Sequence, residues 1–185
     1  MKPMQPIKQL SRVLALLAGR GQALFSLADL RAAFPEHASG AFRAVVMRAE
    51  HDGLLTRVCR GLYLYPSGDG GDGLILYHAA ARLRASGFNY ISLESALSDA
   101  GVISQIPMHR VTLMSSGRTA TLACGKFGSI EFVHTKKRPN ELVDQLVYDP
   151  RCHLWRASVA LAVRDMAAAR RNLDLVDWEA VGDTL

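Results

Sequence analysis

The residues best suited to a definite chemistry are arginines in one early stretch: Arg43 and Arg48, then Arg57 and Arg60 beside Gly61. A guanidinium carries a planar fork of donors that matches the O6 and N7 edge of guanine, or two phosphate oxygens. On a helix, Arg43 and Arg48 are five positions apart and diverge. They suit different base pairs, or a base and a phosphate. Met47 lies on the same side, and Ser39 opens the segment. Gly40, Ala41 and Ala44 are small enough for a backbone to approach a groove floor. Arg60 at a hairpin tip suits a phosphate or a narrow minor groove. The competing reading of Arg43 and Arg48 is solvated surface, and that of Arg57 and Arg60 is an edge-strand charge that deters aggregation.

The rest of the chain offers less. Lys136-Lys137-Arg138 is the densest charge run and precedes Pro139, as an exposed loop would. It suits contact with nucleic acid, or simple solvation. Glu131, His134, Asp144 and Asp149 include the residue types of a nuclease metal site, but their spacing matches no two-carboxylate pattern. Tyr90, Ser92 and Glu94 read as a strand end, a helix cap and a first-turn acid. Trp155 and Trp178 read as core or interface anchors. Cys59, Cys124 and Cys152 form no Cys-x-x-Cys, and the six histidines show no metal-binding spacing. A phosphate loop, a dinucleotide turn and a nucleophile elbow are all missing. The expectation is therefore no catalytic residue, no metal and no cofactor.

Elements must position those arginines. Ile7, Leu10, Val13, Leu14 and Leu17 recur at helical spacing, with Gly19 as a stop. Ser26 and Asp29 form a capping box for a second helix, and Phe25 and Leu30 form its hydrophobic staple. A third helix is expected to be capped by Ser39, with Phe42, Val45, Val46 and Ala49 as its apolar stripe. Leu54–Cys59 and Leu62–Tyr65 flank Arg60-Gly61 as a tight hairpin. Residues 66–73, half of them glycine, read as a linker between a domain at 1–65 and another at 74–185. In the second, helices are expected near 74–85, 92–100, 157–171 and 176–181. Strands at 111–114, 119–124 and 129–135 are spaced as an antiparallel meander, and 142–148 fits helix or strand. The fold class is α+β: a winged helix-turn-helix followed by a mixed domain with helices flanking the meander.

Charge supports this division. Residues 1–65 hold nine basic and four acidic side chains, whereas 66–185 hold thirteen of each. The net excess of +5 thus sits in the first third, as expected where a chain meets a polyanion. Apolar residues make up 49% of the chain, which excludes a disordered chain, and no apolar run reaches the ~18 residues of a membrane span. With no basic-then-apolar start, a cytoplasmic location is expected.

The hairpin segment Arg60-Gly61-Leu62-Tyr63 is followed by Tyr90-Ile91-Ser92-Leu93-Glu94-Ser95-Ala96-Leu97 and Gly101-Val102-Ile103. Then come Phe127-Gly128-Ser129-Ile130-Glu131-Phe132 and a late helix around Ala157, Ala160 and Asp165. In this order they resemble the AbiEi-type antitoxins of abortive-infection type IV toxin–antitoxin systems, over most of the chain. The resemblance implies a cytoplasmic protein that represses its own operon by binding operator inverted repeats in double-stranded DNA; a monomer or weak dimer is expected. It also implies that the second domain counters a nucleotidyltransferase-like toxin without a stable complex. Two other readings stand beside it. One is a ligand-sensing winged-helix transcription factor unrelated to toxins. The other is a nuclease-like enzyme delivered to DNA by its winged helix.

Overall fold

The computed structural model describes residues 5–66, 73–103 and 109–182. It is a mixed α+β chain in two compact units, residues 1–75 and 76–185. Most of the glycine-rich 66–73 segment lies outside the described residues.

Unit 1 runs α1 (Pro6–Ala18), β1 (Leu24–Ser26), α2 (Leu27–Ala32), α3 (Ser39–His51), β2 (Thr56–Cys59) and β3 (Leu62–Leu64). The apolar stripes seal one core, in which Leu10, Leu14, Phe25, Leu30, Phe34, Phe42, Val46 and Ala49 are buried. The capping box forms as its residue types require. Asp29 N–H donates to Ser26 Oγ (3.1 Å), and Ser26 N–H donates to Asp29 Oδ2 (2.7 Å). Strand order is β1-β3-β2, all antiparallel. β1 is too short to show a period, and the sequence pattern missed it. Gly61 takes φ +80° at the hairpin tip, and its carbonyl accepts from Leu27 N–H, tying the hairpin to the start of α2.

Ser39 does not cap α3. Ala38 holds the extended position (φ −60°, ψ 148°), and Ser39 is already helical. A serine caps only from extended backbone, so the cap falls one residue before the expected one.

Unit 2 runs α4 (Ile75–Leu83), β4 (Asn89–Ile91), α5 (Leu93–Asp99), β5 (Arg110–Ser115), β6 (Ala120–Ala123), β7 (Ser129–His134), β8 (Leu146–Asp149), β9 (Leu154–Ala157), α6 (Val159–Ala168) and α7 (Trp178–Gly182). Its sheet has the order β6-β7-β5-β4-β9-β8. The expected antiparallel meander is wrong. β6 and β7 do form an antiparallel hairpin, but β7 lies between β6 and β5 and runs parallel to β5. The reason is that β5 is central. Val111 to Ser115 are all buried, with β4 on one edge of β5 and β7 on the other, which leaves β6 to pair outside β7.

Gly128 permits the turn into β7. Its φ is +111°, and a Cβ there would stand 1.9 Å from the His109 carbonyl oxygen.

Ser92 is extended before α5 but caps nothing with its side chain. Thr112 serves instead. Its Oγ1 accepts from Ser95 N–H (3.1 Å) and donates to the Ser92 carbonyl (2.9 Å). Segment 142–148 resolves into a 3₁₀ turn at Val143–Gln145 and strand β8.

Candidate nucleic-acid interface

α3 divides cleanly. Phe42, Val46 and Ala49 are buried, while Ser39, Gly40, Ala41, Arg43, Ala44, Met47, Arg48 and His51 are exposed. Met47 is 69% exposed, a large apolar side chain among cations. Arg48 Nε lies 3.6 Å from Asp52 Oδ2 one turn on, an exposed pair worth a few tenths of a kcal/mol at most. Among the described residues no hydrogen bond or ion pair holds the Arg43 or Arg60 guanidinium. The first turn of α3 receives no side-chain cap, so its amides point outward unclaimed by a side chain. A depression between the start of α1 and α3 is lined by Gln5, Pro6, Ile7, Ala44, Val45 and Arg48.

The hairpin extends this surface. Arg57 and Arg60 are exposed, and Arg57 Nε donates to the Cys59 carbonyl at 3.4 Å. Tyr63 packs beneath. Burial pushes its hydroxyl pKa up, Glu50 adds to the rise, and Arg57 opposes it. Not every cation of unit 1 faces outward. Arg31 donates to the His37 carbonyl and stacks 5.3 Å from the Phe42 ring, within the fold.

The structure divides the second candidate cluster. Lys136 and Arg138 are exposed, but Lys137 turns inward, with Nζ 2.7 Å from Asp165 Oδ1. Asp165 is fully buried on α6 and accepts two more bonds at Oδ2, from Tyr90 (3.0 Å) and Ser92 (2.8 Å). Burial and the Asp165 carboxylate push the Tyr90 hydroxyl far above its ordinary pKa, so it stays a donor. The sequence reading named Tyr90, Ser92 and Lys137 separately and missed Asp165 as their hub.

The four nuclease-like candidates are not brought together. Glu131 and His134 lie on β7, whereas Asp149 lies on β8 and Asp144 just before it. Three strands intervene, which at sheet spacing is on the order of 19 Å. Each also has its own partner or exposure. Glu131 pairs with Arg171, His134 Nδ1 donates to the Gly117 carbonyl (2.9 Å), and Asp144 is exposed. Hydrogen bonds from Arg151, opposed by burial and reinforced by Arg156, hold the Asp149 carboxyl well below the usual carboxylate range. Among the described residues no three His, Cys, Asp or Glu side chains group as a metal site. Trp155 and Trp178 are 44% and 55% exposed, so neither is a core residue.

No family model and no curated protein matches the sequence. Among solved structures, the chain is similar to the RV2827C protein from Mycobacterium tuberculosis, at 13% identity and a TM-score of 0.47. That match covers 74% of this chain and 52% of the other, so the chain spans about half the length of that structure. Among the described residues no helix is long and apolar enough to cross a membrane.

Proposed function

We propose that unit 1 is a winged helix-turn-helix and that the protein is a DNA-binding transcriptional repressor. α3 is the recognition helix and the β2–β3 hairpin is the wing. The observation that carries this reading is the exposed face of α3, where Arg43, Met47 and Arg48 stand opposite a buried apolar stripe. One α-helix fits the major groove, and this face carries both a guanidinium free for a guanine edge and apolar groups for a thymine methyl. Ser39 and the open first-turn amides of α3 suit a phosphate. Arg57 and Arg60 on the wing suit the backbone or minor groove.

For unit 2 the proposal follows the resemblance to AbiEi-type antitoxins. It counters a nucleotidyltransferase-like toxin in the cytoplasm, without a stable complex, by recognition rather than catalysis. The scatter of Glu131, His134, Asp144 and Asp149 across the sheet supports a non-catalytic role. Lys136 and Arg138 are outward cations of one of its loops, and Lys137 positions the loop between them.

The test is fluorescence anisotropy of the full chain with duplex DNA from upstream of its own gene. Binding should be sequence-preferring and should weaken steeply between two salt concentrations, because displaced counterions set the slope. No binding at low salt, or equal binding to every duplex, overturns the repressor reading. Co-expression with the neighbouring toxin tests the second role, with restored growth expected.

A further inference from the structure

We infer that the β8 edge of unit 2 is a homodimer interface, where β8 of one copy pairs antiparallel with β8 of a second copy about a two-fold axis at Val147. This rests on unit 2 alone and is independent of the DNA-binding reading. β8 ends the sheet, and among the described residues no strand pairs with its outer side. The hydrogen bond from Ser158 N–H to the Gln145 carbonyl (2.8 Å) sets the parity. Gln145, Val147 and Asp149 turn their peptide groups toward β9, so Leu146 and Tyr148 turn theirs outward.

The side chains mark this edge as one that is covered. Val147, Tyr148 and Trp155 are 71%, 45% and 44% exposed on one hairpin, and the Tyr148 and Trp155 rings meet edge to face at 5.3 Å. The opposite edge, β6, reads Ala-Thr-Leu-Ala and carries none of the exposed large apolar side chains. An open edge with exposed apolar groups is a template for another strand, and proteins usually blunt it with charge.

Chemistry selects a second copy and one register. An axis at Val147 sets Leu146 opposite Tyr148 of the second copy, twice, so every outward N–H and C=O of both residues is paired. An axis one residue later sets Leu146 against Pro150, which has no N–H. An axis one residue earlier sets Tyr148 against Asp144, inside the 3₁₀ turn. In the chosen register Tyr148 covers Leu146 of the second copy on one face, and the two Val147 side chains meet on the other. Charge agrees. Asp144 and Arg151, both exposed, flank β8 at its two ends, so antiparallel pairing brings Asp144 of one copy toward the end that carries Arg151 of the second. Arg151 uses Nε and Nη2 for Asp149, which leaves Nη1 for Asp144.

Sedimentation velocity of the full chain should show a concentration-dependent dimer. Val147→Lys sets two ammonium groups face to face and should weaken dimerisation by about tenfold or more. A second variant keeps the proposal falsifiable if that one folds poorly. Val147 would form a non-hydrogen-bonded pair with its own copy, with Cα atoms about 4.5 Å apart, within disulfide reach. Because Cys59, Cys124 and Cys152 are all buried, Val147→Cys should give a covalent dimer under mild oxidation, and Thr121→Cys on β6 should not. A monomer at every concentration, or equal cross-linking of the two variants, overturns the proposal.

Discussion

The two units use the same cationic side chains in opposite ways. In unit 1, Arg43 and Arg60 stand in solvent with no partner among the described residues, and Arg48 has only an exposed neighbour on its own helix. In unit 2, several cations are held inside the fold, although Lys136 and Arg138 face outward. Lys137 holds Asp165, Arg156 joins Asp99 to Asp149, and Arg171 joins Glu131 to Glu94. Arg84 lies 3.9 Å from the centre of the Phe132 ring and donates to Ser115 Oγ. Charge that is paired internally shapes a fold, and charge left unpaired is available to a ligand. The contrast between the paired cations Lys137, Arg156 and Arg171 and the unpaired Arg43 and Arg60 predicts a stability role for the first set and a binding role for the second, and each expectation can be broken.

The largest effect is expected at the centre of the unit 2 network. Asp165→Ala removes three accepted hydrogen bonds and strands the Lys137 ammonium. Breaking a buried ion pair costs about 3–5 kcal/mol. The lower end is expected here, because the Lys137 side chain is 35% exposed. Urea unfolding should show this loss, while Lys136→Ala next door stays within about 0.5 kcal/mol. If the two substitutions cost the same, Lys137 and Asp165 do not anchor the loop. Arg43→Ala should reverse the pattern. Stability should be unchanged, but discrimination between operator and a variant duplex should fall by about 1–3 kcal/mol in competition binding. A thermal shift without a change in discrimination would make Arg43 a structural residue.

What was legible in the sequence follows the range of the interactions. The capping box joins Ser26 to Asp29, the hairpin turns on Gly61, and the α3 stripe repeats within thirteen residues, so local pattern suffices for each. The exposure of Arg43, Met47, Arg48, Arg57 and Arg60 followed from that stripe and that turn. Strand order was not legible. β5 takes β4 on one edge and β7 in parallel on the other, long-range pairings that spacing between neighbouring runs cannot encode. Nor could the sequence separate Lys137 from Lys136. Its partner Asp165 lies 28 positions away on α6 and shows in the sequence only as one acid in an apolar helix. Ser92 was misread for a similar reason, since its hydroxyl is drawn to Asp165 and Thr112 takes over the cap.

A more gradual effect is expected with pH. Arg151 and Arg156 depress the folded-state pKa of Asp149, while the unfolded chain has an ordinary carboxyl near about 3.9. Between those values the unfolded state binds more protons, so stability rises with pH there. The contribution is therefore complete above about pH 5 and is lost progressively as pH falls below about 4. Urea midpoints at pH 5 and pH 3 should fall further apart for the wild type than for Arg156→Met. Identical differences would mean that the Arg156 pair contributes nothing to acid sensitivity.

The smallest effect is expected at the tip of the β2–β3 hairpin. Arg60 sits beside Gly61, is exposed, and has no partner among the described residues, so Arg60→Ala should leave unfolding unchanged. If it touches a phosphate, its removal takes away one released counterion. The slope of log binding constant against log salt should then fall by about one, equally for operator and unrelated duplexes. A base contact would behave differently. It would change the ratio between duplexes and leave the salt slope nearly intact. Titrating two duplexes at three salt concentrations separates these outcomes. A change of ratio at Arg60, with none at Arg43, would exchange the roles of helix and wing while leaving the contrast between the two units in place.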